Sequence, residues 1–387
     1  MRTASQNRAA GRQVTAAHNK TLPAGAGSPV SGNLIMRIMR ILRIGSLGAW
    51  LFACALLSIG FYSPLATAQG KTLRQAFEAV NKAVVVVRTE SSAPAPKGGW
   101  TSADGLGSGV LVSRDGLVMT ASHVVQTADR IEVLFSDGQT SPARVVSSLT
   151  RADVALLQLE NPPKGIEPAR LGNSSLAHVG DPVFVVGAPY ALYHSLTSGH
   201  LSARRKFTNA FTGGVQIEFL QTDAAINSGN SGGPLFDMDG RVIGIVSHIH
   251  SRSGGFEGLG FAVASNVARR ALLEQRALWT GVEGTLLSRQ LAALLNVPQR
   301  EGLLVQRVAR DSPADRMGVR PGRIPAKLGD EEMLLGGDIV LFVGDLQVTG
   351  EEAQIERIDD YLSNLRAGQS VSVRVLREGQ VIDLLLR

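Results

Sequence analysis

The chain has 387 residues, a formal net charge of +6, 43 glycines and only 5% aromatic residues. Seven of its 39 basic residues and none of its 33 acidic ones fall within residues 1–68. The remainder is near neutral, which argues against a nucleic-acid partner. Cys54 is the only cysteine, so disulfides, a thiolate zinc site and a cysteine nucleophile are excluded from everything beyond it.

Residues 1–68 read as a polar leader plus a targeting segment. Arg37, Arg40 and Arg43 precede the uncharged run IGSLGAWLFACALLSIGFY (44–62), and ATA (66–68) supplies small residues at the positions that specify signal cleavage. The run is 19 residues long, near a bilayer span, so a retained membrane anchor is the alternative to a cleaved signal. Both readings put the rest of the chain in the periplasm or outside the cell.

Beyond the leader, TLRQAFEAVNKA (72–83) spaces its apolar residues at helical intervals, with Thr72 placed as the cap. VVVVRTE (84–90) follows as a strand. Short β-type runs then alternate with turn signals such as RDG, SDG and MDG about every ten residues. Many short strands without helices between them point to a mostly β fold, a barrel or sandwich. SNVARRALLEQRAL (265–278), capped by Ser265 or Asn266, closes a domain of residues 69–280. Residues 281–387 mix strands and helices. GLLVQRV (302–308) is a strand, and SPADRMGV (312–319) a short helix with Ser312 at its N-cap. GGDIVLFVGDLQV is a hairpin, residues 351–365 an amphipathic helix, and a hairpin ends the chain.

DAAINSGNSGGPLF (223–236) sets Ser231 among glycines. It fits a plain turn, the nucleophile elbow of an α/β-hydrolase, or the serine loop of a trypsin-type protease. A serine hydroxyl needs an imidazole to take its proton and a carboxylate to orient that imidazole. His123, in TASHVV, and Asp153, in ADVALLQL, are the candidates. After Ser231 only His248 and His250 remain, too soon for an α/β-hydrolase, whereas the order His123, Asp153, Ser231 is that of the chymotrypsin template. His248 and His250 share a strand face but offer only two ligands, so no metal is expected. No cofactor is expected either. GLGSG (105–109) lacks the Lys-Ser/Thr ending of a phosphate loop and reads as a turn.

The stretches GSGVLVSRDGLVMTASHVV, RADVALLQLE, QTDAAINSGNSGGPLFDMDGRVIGIVS and GLGFAVAS resemble the HtrA (Deg) family of trypsin-like serine proteases. The resemblance runs from about residue 71 to the end. It implies a double β-barrel protease domain followed by an α+β PDZ domain. Ser231 then matches the nucleophile, His123 the general base and Asp153 the orienting acid. The oxyanion hole falls on Gly229, Asn230 and Ser231, with the amides of Gly229 and Ser231 as donors. Ser247 matches a hydroxyl that supports the acid. Ile226, Ile245 and Ile249 are expected to line a small apolar specificity pocket that admits small aliphatic residues. EGLLVQRV matches the PDZ carboxylate-binding loop, with Gly302, Leu303 and Leu304 as its residues. RIPAKLGDEEMLL (323–335) is longer than the family's turn there. The resemblance further implies misfolded or regulatory protein substrates, C-terminal peptides as PDZ ligands, and a homotrimer. A chaperone or peptide-binding scaffold with a latent protease domain is the alternative.

Overall fold

The computed structural model describes residues 71–94, 99–188, 194–207, 217–328, 331–365 and 369–386. The leader and the segment 44–62 lie outside the described residues. Helix α1 (Leu73–Val80) begins as its sequence requires: Thr72 accepts from the Gln75 amide, and the Gln75 side chain returns to the Thr72 amide.

The first six strands are β1 (Val84–Pro94), β2 (Trp100–Leu111), β3 (Leu117–Thr120), β4 (Arg130–Leu134), β5 (Thr140–Leu149) and β6 (Val154–Leu159). They close a barrel in the order β1-β2-β3-β6-β5-β4. After the short β7 (Arg170–Leu171), six more strands follow: β8 (Pro182–Gly187), β9 (Ser195–Phe207), β10 (Ile217–Thr222), β11 (Pro234–Asp237), β12 (Arg241–Ile249) and β13 (Gly260–Ala264). They pair as β11-β8-β9-β10-β13-β12, and β11 also pairs with β12, which closes a second barrel. Closure removes free sheet edges, so neither barrel offers a strand for addition. Their apolar inward faces join in one core, where Phe184 stacks on Phe236 with ring centroids 5.1 Å apart.

The turn glycines of RDG, SDG and MDG all take positive φ, as those turns demand. GLGSG does not form a turn. It lies inside β2, where a Cβ at position 105 would come within 2.3 Å of the Thr89 hydroxyl and one at 109 within 3.0 Å of the Met119 carbonyl. The glycines serve close strand approach. The closing helix also departs from expectation. It spans Ser265–Arg269 and widens into a π-turn over Arg270–Glu274. No side chain caps it, because the Ser265 hydroxyl donates instead to the Gly172 carbonyl at 2.9 Å.

A third sheet follows. It contains β14 (Val282–Leu286), β15 (Leu303–Val308), β18 (Ile339–Val343), β20 (Val371–Arg377) and β21 (Gln380–Leu386), in that order across the sheet, with β19 (Leu346–Gln347) on β18. Ser312 caps its short helix Pro313–Arg316 by accepting from the Asp315 amide. The long 323–335 segment forms its own hairpin, β16 (Ile324–Leu328) with β17 (Glu331–Leu335). The Gln306 side chain ties this hairpin to β15 by accepting from the Leu334 amide at 2.6 Å. The helix Glu352–Ser363 packs near the β18–β19 turn. Asp338, only 1% exposed, is held by a bidentate pair with Arg377, both bonds 2.7 Å.

Candidate active site

His123 lies on a one-turn helix, Ser122–Val125, that begins one residue after β3 ends. Asp153 closes a tight turn and opens β6, with φ 54° and ψ 45°. This left-handed conformation is one that aspartate tolerates better than most residues. The turn brings the carboxylate beneath the histidine. Asp153 Oδ1 accepts the His123 main-chain amide at 3.0 Å, and His123 Nδ1 lies 2.9 Å from both carboxylate oxygens. Ser247 donates its hydroxyl to Asp153 Oδ2 at 2.5 Å. The register of β12 against β13 slips between Val246 and His248, so Ser247 is the bulged residue. Bulges re-aim a side chain beside active sites, and here the hydroxyl is aimed at the acid.

These contacts set the protonation states. Burial pushes the Asp153 carboxyl upward, but the bonds and charge from His123 and the Ser247 hydroxyl outweigh it and hold it below its ordinary value. The hydrogen bond His123 donates to Asp153 raises His123 above its ordinary value, partly opposed by burial and helped by the carboxylate charge. With its Nδ1 proton committed to Asp153, a neutral His123 keeps its free lone pair on Nε2.

Ser231 sits in the loop between β10 and β11. Its hydroxyl donates to the Ser247 carbonyl at 3.3 Å. Among the described residues no hydrogen bond joins Ser231 to His123. Gly229 and Gly232 have φ of +99° and +83°. A Cβ on Gly232 would come within 2.3 Å of the Ser108 carbonyl oxygen, so no larger residue fits. Among the described residues the amides of Gly229 and Ser231 donate to no protein acceptor. The expectation for Asn230 needs correction: its amide donates to the Asn227 carbonyl at 3.0 Å and is not free for a substrate oxygen.

Ile226 and Ile249 meet at Gly260. Ile249 pairs with Gly260 across the strands, and a Cβ there would come within 2.5 Å of Ile226 Cδ1. Ile245 is fully buried and paired with Pro234 and Val263, in the same core that buries Ile226.

Gly302, Leu303 and Leu304 also need correction. Leu303 and Leu304 are paired on both sides, with β14 and with β18, and the Gly302 carbonyl accepts from the Leu287 amide. Such backbone cannot receive a peptide as an added strand. The strands at the edges of this sheet are β14 and β21, and β14 borders an apolar cavity of about 340 Å³. Val282, Gly284 and Leu286 line it from β14, and Ile355, Ile358 and Leu362 from the helix.

Sequence reasoning missed four residues here. Ser108 binds the serine loop (below). Gln126, three residues after His123, donates its side-chain amide to the Val282 carbonyl at 2.9 Å. Arg151, two before Asp153, approaches Glu356 to 2.9 Å and Asp359 to 3.5 Å; the Glu356 contact lacks hydrogen-bond alignment and is an ion pair. His248 Nδ1 lies 3.0 Å from the Ser247 hydroxyl oxygen, and its ring stacks on Phe261. The glycines around Ser108 were a local signal and His248 adjoins Ser247 in the chain, whereas Gln126 and Arg151 depend on contacts distant in sequence.

Two barrels with a histidine, a hydrogen-bonded acid and a loop serine define a trypsin-like peptidase. The sequence profile described as "Trypsin-like peptidase domain" matches residues 107–245. The chain is 38% identical over 271 residues to a "Probable periplasmic serine endoprotease DegP-like" of Ectopseudomonas mendocina (strain ymp), covering 68% of this chain and 56% of that protein. A protein of the same description from Pseudomonas savastanoi pv. phaseolicola (strain 1448A / Race 6) is 36% identical, covering 66% and 53%. The chain thus spans about half the length of these curated relatives. Among solved structures, the "HtrA-type protease AlgW with tripeptide" is 31% identical, covering 81% of this chain and 95% of that one, with a TM-score of 0.45. The same protease with a decapeptide is 30% identical, covering 81% and 97%, with a TM-score of 0.46. By its match to the trypsin-like peptidase profile and its identity to these DegP-like relatives, the chain belongs to the HtrA family of trypsin-like serine proteases.

Proposed function

We propose that the chain is a serine endopeptidase of HtrA type that cleaves misfolded or regulatory proteins in the periplasm. The observation that supports this reading is the set of bonds on Asp153 that orients His123, together with the amides of Gly229 and Ser231, which among the described residues donate to no protein acceptor. In the reaction, Ser231 Oγ attacks the scissile carbonyl while His123 Nε2 takes its proton. The amides of Gly229 and Ser231 stabilise the oxyanion of the tetrahedral intermediate. Protonated His123 returns the proton to the leaving amine, leaving Ser231 as an ester. Water attacks that ester with His123 again as base, which frees the new carboxyl end and restores Ser231. Ile226 and Ile249 favour a small aliphatic residue before the cut.

Residues 281–387 act as a PDZ module. Its peptide adds to the free β14 edge and fills the cavity beside the helix Glu352–Ser363. Family membership supports a homotrimer. The periplasmic description of the relatives supports export, with residues 44–62 as cleaved signal or retained anchor. Among the described residues no helix is long and apolar enough to cross a membrane.

One observation favours a second reading, a peptide-binding scaffold with a latent protease domain: the Ser231 hydroxyl rests on the Ser247 carbonyl and not on His123. Casein cleavage separates the two. Degradation by the native chain but not by Ser231→Ala supports the protease. No cleavage under any condition, C-terminal peptides included, sinks it.

A further inference from the structure

We propose that Ser108 is a positioning residue for the oxyanion-stabilising loop, an inference that rests on the protease reading above. Ser108 lies on β2, fully buried, and touches the serine loop at two carbonyls. Its hydroxyl donates to the Gly229 carbonyl at 2.6 Å, and its main-chain amide donates to the Ser231 carbonyl at 2.8 Å. The same hydroxyl oxygen accepts from the Ala188 amide at 3.0 Å. The Ser108 carbonyl in turn accepts from the Thr120 hydroxyl at 2.7 Å. Every polar atom of Ser108 is therefore engaged: two bonds hold the serine loop, and the other two fix Ser108 to Thr120 and Ala188.

The Gly229 carbonyl matters because of where its peptide lies. The 229–230 peptide lies between the two amides, those of Gly229 and Ser231, that face the developing oxyanion. A peptide group is planar, with C=O and N–H pointing in opposite directions. Drawing the Gly229 oxygen toward Ser108 therefore turns the Asn230 amide toward the Asn227 carbonyl, which it meets at 3.0 Å. Both ends of the peptide are held, and Asn230 cannot compete for the substrate oxygen. Gly229, with φ +99°, has no Cβ to restrict its rotation. The Ser108 hydroxyl supplies the restraint that a side chain would otherwise give. Space there is tight: a Cβ on Gly187 would come within 3.0 Å of Ser108 Oγ, and one on Gly233 within 3.2 Å of Ser108 Cβ. The two glycines leave the serine side chain its room.

Loss of the hydroxyl should act on the transition state and not on substrate binding. An oxyanion donor out of place costs about 10²-fold to 10³-fold in kcat; releasing the peptide that orients the donors is expected to cost about tenfold or more. The test compares the full chain with Ser108→Ala, Ser108→Cys and Ser147→Ala. Ser147 is a control, because its buried hydroxyl donates to the Ala277 carbonyl at 2.8 Å, away from the loop. The readouts are kcat and KM on a chromogenic peptide with an aliphatic residue before the cut, affinity for a peptide boronic acid, and thermal melting. The expected result is a lower kcat for Ser108→Ala at similar KM, with boronate affinity falling by a matching factor. Ser108→Cys recovers part of the loss, and Ser147→Ala lowers the melting temperature without changing kcat. If Ser108→Ala does not fold, the same split between kcat and KM is read on Ser108→Cys. Native kcat in folded Ser108→Ala, or equal losses in kcat for Ser108→Ala and Ser147→Ala, overturns the proposal while leaving the protease reading intact. A native chain inert to both substrate and boronate overturns both.

Discussion

Gln126 donates its side-chain amide to the main-chain carbonyl of Val282 at 2.9 Å, which joins the segment just after His123 to the free edge strand β14. Trp279 reinforces the joint by donating its indole N–H to the Gln126 carbonyl at 3.1 Å. A peptide adding to β14 needs that Val282 acceptor and must displace Gln126. Gln126→Ala is therefore expected to bind C-terminal peptides more tightly. One net hydrogen bond of about 1 kcal/mol corresponds to roughly fivefold. Fluorescence anisotropy with a labelled peptide checks this; unchanged or weaker binding would place the peptide elsewhere.

The pH dependence follows from His123. Its imidazole is held above the ordinary histidine value by Asp153, and only the neutral ring can accept the Ser231 proton. As pH falls through that raised value, kcat/KM should fall, so the acid limb lies above pH of about 6.5. Asp153→Asn removes both the charge and the tautomer control. The expected loss is about 10⁴-fold in kcat at neutral pH, with any residual acid limb shifted downward. A pH–rate series on both proteins checks the sign.

Two glycines with nearly the same φ should respond differently to alanine. Gly138, at +87°, has nothing within 4 Å of a built Cβ, so Gly138→Ala bears only the left-handed backbone cost of about 1 kcal/mol. Gly232, at +83°, would in addition drive its Cβ to within 2.3 Å of the Ser108 carbonyl. Gly232→Ala is expected to lose at least about 3 kcal/mol and to lose activity. Urea denaturation of both variants measures the difference, and equal losses would mean the serine loop yields easily.

Arg151 faces Glu356 and Asp359 with 17% of its side chain exposed, while Glu356 shows 7%. Burial raises the Asp359 carboxyl, and Arg151 pulls it back down. Removing the guanidinium in Arg151→Met takes the cation away from buried Glu356 and half-buried Asp359, at a cost of about 3 kcal/mol. Chemical denaturation at neutral pH is the check. Stability should recover partly at acid pH, where Asp359 protonates, and a variant as stable as the native chain would show the pair to be solvated.

The sequence made some of this legible and hid the rest for physical reasons. Chain order separated His123, Asp153 and Ser231 from the α/β-hydrolase arrangement, and alternating short runs exposed the strands of both barrels. Thr72 and Ser312 were readable as caps because capping is local, within three residues. Ser265 looked like a cap and was drawn away by Gly172, 93 residues distant. Gly302, Leu303 and Leu304 were misread because a strand's free edge depends on which neighbours pair with it. VEGTL, with a charge and a glycine, hid the edge strand. GLGSG read as a turn because its glycines serve contacts with other strands. Nothing local marks Arg151 as the partner of a carboxylate 205 residues further on.

The proposed function stands on Ser231, activated by His123, as the nucleophile of a working protease. The direct measurement is labelling with a fluorophosphonate, read by mass spectrometry, alongside casein cleavage, on the native chain, Ser231→Ala and His123→Ala. The expected result is one covalent adduct, on Ser231, together with cleavage in the native chain and loss of both in either variant. Cleavage that persists in Ser231→Ala, or a native chain that neither labels nor cleaves with C-terminal peptide present, would contradict it.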